Sequence, residues 1–174
     1  MTGAEELRSI IRDIPDFPKK GILFKDITTL LAKGALFQQA IDMIAEQYRG
    51  KDITKVVAIE SRGFIFGAPV AYKLGAGLVP IRKKGKLPYK TISASYSLEY
   101  GTDTLEMHED ALKPGERVLI IDDLLATGGT MGAVIELVKK GGGKIAGLSF
   151  LIELSFLNGR SKLKDFEVSS LIKY

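Results

Sequence analysis

Residues 118–130 read Val-Leu-Ile-Ile-Asp-Asp-Leu-Leu-Ala-Thr-Gly-Gly-Thr, an apolar run that ends on two adjacent carboxylates and passes into a loop of small residues. Gly128 and Gly129 let backbone N–H groups come close to an anion, and Thr127 and Thr130 add hydroxyl donors beside Ala126. A helix starting there would add the partial positive charge of its N-terminus, which suits a phosphate monoester. Asp122 and Asp123 cannot serve that phosphate; they need hydroxyl donors or a cation. A ribose 2′,3′-diol beside the phosphate supplies the hydroxyls, so a sugar phosphate satisfies both halves of the run. A plain strand-to-helix turn with a solvated acidic pair explains an Asp-Asp or a Gly-Gly alone. It explains poorly their order here, after four apolar residues.

The neighbouring pattern predicts the elements that hold this run. Residues 117–122 form an apolar strand, and 129–140 a helix with Val134, Leu137 and Val138 turned inward. Upstream, 4–14 has helical spacing, with Leu7, Ile10, Ile11 and Ile14 on one face, and Pro15 and Pro18 open an extended segment over 16–24. A helix over 35–48 stops at Gly50. Val56 to Ile59 and Leu78 to Ile81 are short apolar strands, joined by a helix to Leu74 whose start Pro69 leaves open. The glycine turn 141–143 leads to a long strand over 144–154. Strands apolar on both sides, alternating with helices, imply an α/β fold with a mainly parallel sheet covered on both faces. Ligands of such sheets gather beyond the carboxyl ends of the strands, which brings Glu60–Gly63, Arg82–Lys86 and Asp122–Thr130 to one crevice. Residues 85–101, rich in serine and tyrosine and without core periodicity, read as a long mobile loop or hairpin above it.

Composition narrows the chemistry. A chain of 174 residues fits one domain. With no cysteine there is no disulfide and no thiolate nucleophile, and His108 alone cannot build a multi-histidine metal site. No apolar run is long enough to span a bilayer, and Glu5, Glu6, Arg8 and Arg12 occupy the place of a signal peptide's apolar stretch, so a cytoplasmic location is expected. A net charge of +4 suits an anionic small molecule and permits nucleic acid. Neither a Walker phosphate loop nor a dinucleotide-binding glycine turn is present.

Residues 121–130 resemble the phosphoribosyl pyrophosphate signature of the type I phosphoribosyltransferases, in the form carried by their adenine-specific members. Four further segments resemble that branch in the same order: Phe17 to Thr28, Glu60 to Gly67, Ile81 to Pro88 and Ser95 to Gly101. Leu157-Asn-Gly-Arg also fits, so the likeness spans nearly the whole chain. It implies the type I fold as a single domain over 1–174, with a base-binding hood segment over 1–34 and a flexible lid loop over 82–101. The implied reaction moves ribose-5-phosphate from phosphoribosyl pyrophosphate to adenine, giving AMP, with Mg2+ held mainly by the substrate and water and no firm protein ligand.

The same resemblance distributes the roles. Ser61, Arg62 and Gly63 receive the pyrophosphate, joined by Arg82, Lys83 and Lys86, and Arg62 acts in catalysis. Glu99 in the lid takes a proton from the base or holds its imidazole edge, beside Tyr100. Leu23, Phe24 and Lys25 recognise the base, Phe24 by stacking, with Lys25 where many relatives carry arginine. A homodimer is implied, because this basic stretch can reach across a subunit interface in the family. No nucleic acid and no membrane are expected as partners. The competing readings are a catalytically silent regulator of the same fold that binds nucleic acid, and an enzyme for hypoxanthine, guanine or xanthine.

Overall fold

Because successive residues of a strand face opposite sides, the run Val118 to Ile121 must find an apolar cover on both faces of its sheet. The computed structural model, which describes residues 3–98 and 101–174, supplies both. Its elements in chain order are α1 (Gly3–Ile10), β1 (Arg12–Pro15), β2 (Leu23–Asp26), α2 (Thr28–Leu31), α3 (Gly34–Tyr48), β3 (Lys55–Ile59), α4 (Arg62–Leu74), β4 (Gly77–Lys83) and β5 (Thr91–Leu98). There follow β6 (Gly101–His108), β7 (Arg117–Leu125), α5 (Gly129–Lys140), β8 (Lys144–Glu153), 3-10 turns at Ser155–Leu157 and Gly159–Leu163, and β9 (Val168–Lys173). Leu119 and Ile121 pack with Ile41, Ile44, Phe66 and Val70 of α3 and α4. Val118 and Ile120 pack with Met131, Val134 and Leu137 of α5. Truncating any one of these fully buried aliphatics to alanine costs about 2–5 kcal/mol.

Seven strands form the sheet in the order β5-β6-β4-β3-β7-β8-β9. The five strands from β4 to β9 run parallel, and the β5–β6 hairpin is added antiparallel at one edge. From β3 the chain moves one way to β4 and later returns to the other side as β7. The carboxyl ends of β3 and β7 therefore face each other at a topological switch point, where open α/β sheets leave a crevice.

Three sequence expectations change. The helix expected over 4–14 ends at Ile10; residues 12–15 pair as β1 with β2, with Asp13 opposite Lys25 and Ile14 opposite Phe24. Helix-like spacing of Ile10, Ile11 and Ile14 is met equally by a helix followed by a strand. Residues 16–22 close a turn where an extended segment was expected: Phe17 N–H donates to the Ile22 carbonyl at 3.3 Å, and Gly21 N–H to Asp16 Oδ1 at 2.7 Å. Residues 82–83, included in the implied lid loop over 82–101, finish β4; of the loop or hairpin expected over 85–101, residues 91–98 form β5 and pair with β6 as a hairpin. Its periodicity was hidden because its polar side is small: Ser95 Oγ and Thr104 Oγ1 meet across the hairpin at 3.0 Å. Pro69 lies inside α4 without ending it.

Candidate active site at the sheet switch point

A cleft of about 330 Å³ opens at the switch point, with Glu60, Ser61 and Arg62 on one wall and Asp122, Asp123 and Thr130 on the other. It continues into a smaller cavity of about 80 Å³ enclosed by the backbone from Ala126 to Thr130. That smaller cavity lies at the start of α5, whose N-cap is Gly128 in the left-handed region (φ 78°) with no side chain capping the first turn. The first N–H groups of a helix lack internal partners, so this terminus presents donors and a positive end to the cavity. The N-cap of α4, Ser61, likewise makes no side-chain cap hydrogen bond.

The acidic pair lies within β7, which continues past the expected end at Asp122 to Leu125. Asp122 and Asp123 both line the cleft beside the start of α4. Asp123 is buried, and Asp122 is half-buried with its Oδ1 accepting the Asp123 N–H at 2.9 Å. Burial, reinforced by the neighbouring Asp123 charge, pushes the Asp122 carboxyl well above the ordinary carboxylate range. Burial raises Asp123 as well, opposed by the Arg62 guanidinium. Two such carboxylates seek donors, and sugar hydroxyls are donors that leave the proton count of the site simple. A Cβ at Gly63 would stand 3.0 Å from Asp122 Oδ1 and 3.1 Å from the Ile121 carbonyl. Gly63 thus lets α4 settle against the acidic strand.

Arg62 connects three parts of the site. Its Nε lies 2.8 Å from Asp123 Oδ2, and its guanidinium carbon 5.2 Å from the centre of the Phe24 ring. Phe24 in turn meets the Phe17 ring edge-on at 5.1 Å. Leu23 is half exposed beside them. The Lys25 side chain turns elsewhere: Nζ is 2.6 Å from Asp13 Oδ1 and 3.8 Å from the centre of the Tyr174 ring. Only the Lys25 backbone is left to face a base.

The basic stretch is gathered on carboxylates. Glu60 Oε1 is paired with Lys86 Nζ, while Oε2 accepts the Lys83 N–H at 3.0 Å and lies 3.4 Å from Arg82 Nε. Burial alone would raise Glu60, but the hydrogen bonds from Lys86 and Lys83, with the Arg82 guanidinium beside them, outweigh it and hold the carboxyl below its ordinary value. Arg82 Nε is buried and has no well-aligned acceptor. The Lys83 ammonium goes to Asp103 at 3.3 Å, and Asp103 also receives the Tyr96 hydroxyl at 3.3 Å. Of the expected anion-binding cations, Arg62 therefore lines the cleft directly, Arg82 and Lys86 lie at its rim through Glu60, and Lys83 points to the hairpin.

Sequence reading missed several contributors. Glu60 was expected at the crevice but without a role; its pairing with the basic stretch of the adjacent strand was not read. Tyr96, which lines the cleft and reaches Thr130, lay inside the resembling segment Ser95 to Gly101 but was assigned no role. Glu99 and Tyr100 lie outside the described residues.

An acidic strand end, a glycine loop at a helix start and an opposed arginine at one switch point define a phosphoribosyl-handling protein. A model of the phosphoribosyl transferase domain matches residues 26–172, and the chain belongs to that family. Within it, the chain is similar to the adenine phosphoribosyltransferase of Geotalea daltonii, 64% identical over 170 residues that cover 98% of this chain and 99% of that one. The crystal structure of adenine phosphoribosyltransferase from Thermoanaerobacter pseudethanolicus superimposes with a TM-score of 0.95 at 54% identity, covering 98% and 99% of the two chains. That of Saccharomyces cerevisiae, solved with an imino-altritol bisphosphate and adenine, gives 0.93 at 41% identity and 98% coverage of each.

Proposed function

We propose that the protein transfers the 5-phosphoribosyl group of phosphoribosyl pyrophosphate to adenine, giving AMP and pyrophosphate, as its curated relatives are named for doing. The observation that carries the reading is the position of Arg62, between the Phe24 ring and the acidic strand end that precedes the phosphate loop. Base, ribose and pyrophosphate are the three parts that such a junction joins.

The bond from ribose C1′ to pyrophosphate breaks, its electron pair leaving with pyrophosphate, and a purine ring nitrogen forms the new bond and loses its proton. Backbone donors at Thr127–Gly129 and the α5 terminus hold the 5′-phosphate. Asp122 and Asp123 accept from the ribose hydroxyls. Arg62, the Ser61–Gly63 backbone and the rim cations Arg82 and Lys86 stabilise charge as it develops on the leaving group. Phe24 stacks on the base. Ser97 of the hairpin sets its carbonyl 4.0 Å from where a Cβ on Gly129 would lie, so the hairpin stands over the phosphate loop and can limit water's access to the sugar cation. Glu99, one residue past the described part of β5, takes the base proton, with Tyr100 beside it.

Among the described residues no three carboxylate or imidazole groups converge. Mg2+ held mainly by substrate oxygens and water, as the family resemblance implies, would neutralise the pyrophosphate. The functional unit is a homodimer, as the family resemblance implies. No helix among the described residues is long and apolar enough to cross a membrane. A cytoplasmic location goes with a polyanionic substrate that does not cross a bilayer unaided. The test is AMP formation from adenine, phosphoribosyl pyrophosphate and Mg2+, with each omitted in turn. No AMP in the complete mixture would overturn the proposal.

A further inference from the structure

The Leu157-Asn-Gly-Arg run takes no part in the chemistry above, yet Gly159 lies directly against the phosphate loop. A Cβ on Gly159 would stand 2.1 Å from the Ala126 carbonyl oxygen, and one on Gly128 would stand 2.8 Å from the Gly159 carbonyl oxygen. Both distances are to backbone, which cannot swing aside as a side chain can. The two chain segments touch at a separation that only glycine permits. Asn158, in the left-handed region at φ 52°, turns the chain into this contact.

Arg160 holds the turn in place. Its Nε and Nη2 donate to Glu153 Oε1 and Oε2 at 2.9 and 2.5 Å, and Nη1 donates to the Val168 carbonyl at 2.8 Å. Glu153, buried at the end of β8, also accepts the Ser170 hydroxyl at 2.5 Å. Leu125, the last residue of β7 before the loop, pairs with Glu153 in the sheet. A bidentate guanidinium–carboxylate pair is directional as well as strong. The turn is thereby fixed to the same strand ends from which the phosphate loop departs.

We propose that the Asn158–Arg160 turn positions the phosphate-binding loop: Gly159 sets the height of the Ala126–Gly128 backbone, and the Arg160–Glu153 pair sets Gly159. The inference rests on the phosphoribosyl reading of that loop. A turn that merely packs would, when disturbed, weaken the whole domain and both substrates alike. A positioning turn affects the phosphoribosyl half alone, because the base contacts at Phe24 lie on a different element.

The full-length wild-type chain is assayed first, and absence of turnover there counts against the reading of the site, not against this inference. With wild-type turnover in hand, Gly159→Ala and Arg160→Lys are compared for the KM of phosphoribosyl pyrophosphate and for the dissociation constants of ribose-5-phosphate and adenine. Gly159→Ala is expected to raise the first two by about tenfold or more, since displacement of a binding group by an ångström is costly, with the adenine constant within about twofold. Arg160→Lys is expected to shift the same quantities in the same direction by less, because an ammonium cannot reproduce the two-pronged contact. An active Gly159→Ala with unchanged phosphoribosyl binding, or equal losses for both ligands, overturns the proposal. If Gly159→Ala does not fold, Arg160→Lys decides by the same criteria.

Discussion

Arg62 Nε lies 2.8 Å from Asp123 Oδ2, across the gap between the ends of β3 and β7. This ion pair closes the switch point of the sheet, and the same guanidinium lies 5.2 Å from the Phe24 ring centre. Replacing Arg62 with lysine keeps the charge and loses the planar fork. The expected outcome is a loss in kcat/KM for phosphoribosyl pyrophosphate of about tenfold or more, measured by steady-state kinetics. Undiminished kcat/KM would remove Arg62 from the mechanism.

Asp122 carries a cost in the free protein. Its carboxyl is raised by burial and by the Asp123 charge, so the protonated form is the stabilising one, and that stabilisation is lost as pH rises through the raised value. Asp122→Asn removes the charge and can keep the bond from the Asp123 N–H. The variant is expected to be less active yet more thermostable at neutral pH, by on the order of 2–4 °C for each kcal/mol recovered. The gain should vanish at acid pH, where both proteins carry a neutral group. A lower melting temperature at neutral pH would contradict this account of the pair.

Glu60 is paired with Lys86 and lies 3.4 Å from Arg82 Nε. On the proposed function, pyrophosphate would compete with it for the same donors. Glu60→Gln weakens the competitor, so product inhibition by pyrophosphate is expected to tighten by about three- to tenfold, as for loss of one charged contact. Weaker inhibition would show that Glu60 organises the rim in the bound state instead.

Glu153 is held down to about 2 by the hydrogen bonds from Arg160, against an ordinary value of 4.5. Its pairing stabilises the fold fully above the ordinary value, and the contribution is lost as pH falls from there through about 2. The stability gap between wild type and Glu153→Gln, from denaturant titration, is expected to be widest near neutrality and to shrink across that interval. A gap independent of pH would mean that shape, not charge, is what Glu153 contributes.

The Lys25 side chain is engaged by Asp13 and Tyr174, away from the cleft. Phe24→Ala is therefore expected to raise the KM for adenine far more than Lys25→Ala does. The reverse order would reassign base recognition to the lysine side chain.

The placement of the run from Asp122 to Thr130 was legible in sequence, because an apolar strand, an acidic pair and a glycine loop before a helix follow one another in order. Strands β3, β7 and β8 were legible because burial on both faces leaves continuous apolar stretches, and β4 because Leu78 to Ile81 is apolar although only Val79 and Ile81 are buried. The pairing of β1 with β2 was not, since Ile10, Ile11 and Ile14 satisfy a helical face and a helix–strand junction equally. Nor was β5, whose outward serines carry little hydrophobic contrast. Relations between distant residues were least visible: nothing local to Gly159 announces Ala126, and nothing local to Glu60 announces that Lys86 will be parked on it. Such pairings are products of topology, which composition and spacing constrain only as far as the order of strands.

The most direct test of the central claim is the comparison of kcat/KM for adenine, hypoxanthine, guanine and xanthine at saturating phosphoribosyl pyrophosphate and Mg2+. Adenine is expected to exceed each of the others by about a hundredfold or more, because a site built to hydrogen-bond one purine edge leaves polar groups unpaired with another. A higher value for any other base, or turnover with none of the four, would contradict it.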